Sequence, residues 1–156
     1  MLLESIATEV TIPEPIGLYN FGLAYIATAN AALASGAPIA FHDPIEHLFA
    51  HGLELILKAD LYRSRSFAEI RNRFGHDLLA LRGALSSEFV SRWTLDASFD
   101  EVTCYLAIGH TRNSGYHHRY LQPGVREVVR PERIQSVMSR FDDADRNGLL
   151  RFFAKQ

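Results

Sequence analysis

DPIEHLFAHGLELILKADLYRSR, residues 43–65, decides how the rest of the chain is read. Asp43 followed by Pro44 is a helix start, because an acidic N-cap precedes a proline whose missing N–H costs nothing at the first helical position. Ile45, Leu48, Phe49, Gly52, Leu53, Ile56 and Leu57 then recur at three- and four-residue spacing, which predicts a helix with a wide apolar face. Lys58, Arg63 and Arg65 stand near its end, where positive charge suits the helix dipole. Offset from the apolar face, His47, His51 and Glu54 fall at i, i+4 and i+7. That spacing can hold a metal, but only with a further ligand from another helix. No matching pair stands out elsewhere, so the stripe is expected to be a polar edge of the bundle, with no metal and no cofactor.

Upstream, Ile16 to Phe41 carries no charged residue. Asn20, Thr28, Asn30 and Ser35 interrupt the run and Gly36 and Pro38 close it, so it is expected to be a buried central helix over about 16–35, not a membrane span. Residues 1–15 are expected to be an irregular segment ended by Pro13 and Pro15, and they lack the basic and apolar regions of a secretion signal. Downstream, Ser66 with Glu69 predicts a capped third helix, run through or restarted at Gly75 and continuing to about Phe89. A fourth begins near Asp96 or Ser98, and Pro131-Glu132 opens a last one. YHHRYLQPGVREVV breaks the helical pattern and reads as two short β-like runs around Gln122-Pro123-Gly124.

Composition adds bounds. The chain has 156 residues, 47% of them hydrophobic and 22% charged, with a formal net charge of -2, which fits one globular domain spanning 1–156. Nothing in that balance demands nucleic acid, although local basic patches are compatible with it. The single cysteine, Cys104, excludes an internal disulfide framework and fits the reducing cytoplasm. Its apolar neighbours predict a buried, inert thiol.

Two polar motifs compete for a functional role. Asp143, Asp145, Asn147 and Gly148 copy the first half of a calcium loop, but the twelfth position is Ala154 where a bidentate glutamate belongs, so a polar helix terminus is expected. RNSGYHH, residues 112–118, repeats the Arg-Asn-x-x-x-His spacing seen in RNRFGH at 71–76. Such a pair can cleave RNA without metal: the imidazole moves the proton of a ribose 2′-hydroxyl or of the leaving oxygen, and the guanidinium grips the phosphate. The intervening asparagine can orient either partner.

HLFAHGLELILKADL, FGHDLLAL, and HHRYL followed by PERIQSVMSRF together resemble the HEPN-type helical families over about residues 41–141. The resemblance rests on an LExxLKA-like helix, a GHDLxxL helix and a later Arg-Tyr pair. It implies an all-α fold, an antiparallel helical bundle of four to five helices, here with a small β-hairpin near residues 116–130. It implies self-association as a homodimer and, for many members, metal-independent RNA cleavage in toxin–antitoxin or defence systems. By position Arg112, Asn113 and His117 (or His118) match the catalytic motif. His118, Arg119 and Arg126 are then candidate substrate contacts. Glu54, Lys58, His76 and Asp77 are expected to form a structural polar tie. The alternative is a non-catalytic module of the same fold that binds a partner protein or small ligand, and the residues alone leave both open.

Overall fold

The computed structural model describes residues 14–36, 43–110 and 128–154. Within them lie eight α-helices: α1 (Pro15–Ala34), α2 (Asp43–Leu61), α3 (Phe67–Phe74), α4 (Leu78–Gly83), α5 (Ser87–Arg92), α6 (Ala97–His110), α7 (Pro131–Met138) and α8 (Arg146–Phe153). A single 3₁₀ turn, Ser139–Phe141, follows α7. The all-α reading holds, with more and shorter helices than expected. No strand occurs among the described residues. Residues 116–127 of the expected hairpin lie outside them, and 128–130 have no regular structure.

The helix ends follow local chemistry. The Ser66 hydroxyl accepts from the Glu69 backbone N–H and starts α3. The expected third helix then breaks twice. Gly75, at φ +54°, ends α3 in a conformation that disfavours any side chain, and Asp77 restarts the chain by accepting from the N–H groups of Leu79 and Ala80. Ser86 does the same for α5 by accepting from Phe89. At the far end Asp145 caps α8 through the Gly148 N–H, while Asp143 accepts from the Asp145 N–H and pairs with Arg92 at 2.7 Å. The aspartate run therefore works as a helix terminus.

α2, not α1, is the central helix. α1 buries one face through Leu18, Tyr19, Gly22, Ile26 and Ala29 and leaves Phe21 exposed, whereas α2 packs against α1, α4, α6 and α7. No described helix is long and apolar enough to cross a membrane. α1 and α2 run antiparallel and touch backbone to backbone. A Cβ built on Gly22 would stand 2.6 Å from the Gly52 carbonyl oxygen, and one on Gly52 would stand 2.8 Å from the Gly22 oxygen. Beside this crossing Phe89, Trp93, Phe141, Phe152 and Phe153 gather around Tyr19, whose hydroxyl donates to the Phe141 carbonyl. Ring offsets and tilts of this kind satisfy aromatic quadrupoles while burying large areas.

α6 corrects the reading of the cysteine. Phe99, Val102, Thr103, Leu106, Ala107 and His110 take the buried face, and Cys104 and Ile108, four residues apart, share the outer one. Apolar neighbours in sequence point around a helix, not to one side of it.

Gly52→Ala is expected to lower stability by about 1–3 kcal/mol, since the obstructing atom is backbone and the helices must separate. Gly17→Ala, where the added carbon meets nothing within 4 Å, should instead be neutral or gain up to about 1 kcal/mol from helix propensity. Urea denaturation of the two variants checks the contrast.

Candidate functional site

α2 carries a polar stripe, His47, His51, Glu54 and Lys58, one turn apart along the edge that meets α6. His47 and His51 lie ring to ring at 6.1 Å, and Tyr25 of α1 sets its ring edge-on to His51 at 4.6 Å. Two more histidines arrive from elsewhere. The break at Gly75 delivers His76 from the joint before α4, and the last turn of α6 delivers His110. All four described histidines thus collect in one place, with His110 at the hub, 5.8, 6.3 and 6.0 Å from the rings of His47, His51 and His76.

Glu54 is the centre. Its carboxylate is only 2% exposed, and so cannot rely on water. Lys58 Nζ donates to Oε1 at 2.5 Å, His110 Nε2 lies 2.5 Å from Oε2, and His76 Nδ1 is 3.0 Å from both oxygens. His51 Nδ1 stands 3.9 Å from Oε2, an ion-pair distance beyond hydrogen-bond reach. Burial opposes the charge on Glu54, but His110, His51 and Lys58 together outweigh it and hold the carboxyl well below the usual carboxylate range. An ionised carboxylate only accepts, so the imidazole nitrogens facing it, Nε2 of His110 and Nδ1 of His76, carry hydrogen. The fully buried His110 turns its Nδ1 away from Glu54, and that atom has no hydrogen-bond partner among the described residues.

A second buried acid on α2 ties helices in a different way. Asp60 accepts from the Ser86 N–H at 2.7 Å and the Ser86 hydroxyl at 2.8 Å, and pairs with Arg63, which reaches on to Glu88. These bonds are internal and leave little chemistry to spare. The Glu54 group differs in holding several imidazoles against one carboxylate, which is the donor chemistry of both proton transfer and metal binding.

No protein-family model, curated protein or solved structure matches the chain. The chemistry must therefore come from the side chains themselves. Glu54, Lys58 and His76, three of the four residues expected to form a polar tie, meet here; Asp77 stands apart and caps α4. Arg112, Asn113, His117, His118, Arg119 and Arg126 lie outside the described residues. Sequence reasoning missed His110. A signal was present, since Phe99, Val102, Leu106 and His110 continue one helical stripe, and that stripe is buried.

Removing the charge at Glu54 should cost much. Glu54→Gln keeps the shape but strands Lys58, whose side chain is 12% exposed, and is expected to lose about 3–5 kcal/mol at neutral pH. The sign of the pH dependence follows from the depressed carboxyl. Its stabilising contribution is complete above the unfolded value, about 4.3, and is lost as pH falls through the folded one. The gap in urea midpoint between wild type and Glu54→Gln should therefore be widest near pH 7 and narrow steadily in acid.

Proposed function

We propose that the chain is a HEPN-like helical domain that engages RNA and cleaves it without a metal, through Arg112, Asn113 and His117. One observation supports this reading above others. Lys58 of LELILKA and His76 of FGHDLLAL, two residues that carry the resemblance, converge with His110 on the carboxylate of a third, Glu54. His110 is two residues ahead of Arg112 in the chain, so the candidate motif begins where this group pins the end of α6.

In the proposed reaction His117 accepts the proton of a ribose 2′-hydroxyl. The 2′-oxygen attacks the adjacent phosphorus, the bond to the 5′-oxygen breaks, and a proton returned to that oxygen yields a 2′,3′-cyclic phosphate and a 5′-hydroxyl end. Arg112 supplies paired donors to the phosphate oxygens as charge builds there. His118, Arg119 and Arg126 extend the phosphate contacts, and Asn113 orients the imidazole. A homodimer would bring two copies of the motif to one substrate.

The test is cleavage of mixed RNA by wild type, Arg112→Ala and His117→Ala, with and without chelator. The expected result is cleavage that persists in chelator and falls at least a hundredfold in either variant, the usual scale for a proton-transfer group. Cleavage abolished by chelator would replace this chemistry with a metal-assisted one. Activity unchanged in both variants would remove the assignment. RNA retained without cleavage, and released by Arg112→Ala, would leave the non-catalytic binding module.

A further inference from the structure

From the geometry of the histidine cluster we infer that His51, Glu54 and His110 form a binding site for a zinc-class transition-metal dication. One donor atom from each of the three lies within 4.8 Å of the others, on two helices packed against each other. Two imidazoles and one carboxylate suit zinc and its neighbours, not calcium or magnesium, which prefer all-oxygen sets.

The distances fit an ion with small adjustments. Tetrahedral ligands about 2.0–2.1 Å from zinc stand about 3.3 Å from one another. His110 Nε2 is 2.5 Å from Glu54 Oε2 and must retreat by under 1 Å, and His51 Nδ1, at 3.9 Å, must close by roughly half an ångström. The His51 and His110 ligand atoms, within 4.8 Å of each other, must approach by at most about 1.5 Å, and side-chain torsions can supply all three shifts. The two carboxylate oxygens divide the work. Oε1 belongs to Lys58, whereas Oε2 faces His51 and His110 and is the oxygen the ion would take. The ion replaces the proton now shared between Glu54 and His110, and the displaced hydrogen moves to His110 Nδ1 or to solvent. His51 Nδ1, the atom that the ion would take, is buried without a hydrogen-bond partner among the described residues. A buried polar atom left in this way is uncommon in a purely structural cluster and ordinary in one that takes a ligand.

His47 lies 6.1 and 5.8 Å, ring to ring, from His51 and His110, close enough to serve as a fourth ligand; otherwise that position is open to water. The inference does not depend on RNA cleavage, because it concerns affinity for an ion and is read by direct binding.

The decisive experiment is calorimetric titration of Zn²⁺ into chelator-treated full-length protein, without RNA, with Mg²⁺ as the control. One equivalent of Zn²⁺ per chain and no Mg²⁺ response are expected. His51→Ala is the main variant, since His51 makes no hydrogen bond to Glu54 and its loss leaves the Lys58, His76 and His110 contacts in place. It should weaken zinc binding at least tenfold while leaving the metal-free melting temperature close to that of wild type. His110→Gln should weaken it similarly, and zinc should raise the melting temperature of wild type but not of either variant. No zinc binding, or binding of undiminished affinity in His51→Ala, would overturn the site. If zinc binds as expected while the RNA assay is negative, only the cleavage reading fails.

Discussion

A buried carboxylate must be compensated, and Glu54 meets that demand with groups drawn from three parts of the chain. The cost of taking an isolated charge out of water runs to several kcal/mol, and Lys58, His76 and His110 together offset it. Lys58 comes automatically, one turn along the same helix. The other two do not. His76 needs the chain to break at Gly75, and His110 needs α6 to begin at the right place and run its full length. One charge therefore fixes the register of α2 against two neighbouring elements, in a way that apolar packing, which tolerates sliding, does not.

The rest of the molecule holds this arrangement in place. The backbone contact between Gly22 and Gly52 brings α1 close enough for Tyr25 to lie against His51, walling one side of the cluster. The aromatic group around Tyr19 and Trp93 anchors α5 and α8, and Asp60 clasps the start of α5 to the end of α2. Apolar burial thus supplies the scaffold, and a few polar groups on α2 specify its alignment. Both proposals rest on that division: imidazoles held beside an ionised carboxylate are suited to binding a cation, and the anchored end of α6 leads into the arginine–histidine segment.

The parts of the fold legible in the sequence were those governed by local rules. Asp43-Pro44 opened α2, Ser66 capped α3, and Pro131 started α7, each within one residue of the expected place. What stayed hidden was nonlocal. The restart at Gly75 was one of two readings the sequence offered, but the further break at Ser86 was not, because periodicity across residues 67–92 does not reveal where one stripe passes to the next. Cys104 was misplaced because its apolar neighbours face several directions. His47, His51 and Glu54 were visible as a stripe, but the ligand that completes it, His110, lies 56 residues beyond Glu54, and no spacing rule reaches that far.

The Gly22–Gly52 crossing has an evolutionary corollary. Each glycine's backbone carbonyl blocks a side chain on the one facing it, so neither position can take a larger residue while the helices stay this close. A larger residue at either would demand a simultaneous trimming of Ile26 or Ile56 and a wider gap between the helices, which would also carry Tyr25 away from His51. Descendants of this sequence that hold α1 and α2 at this separation should therefore keep both glycines.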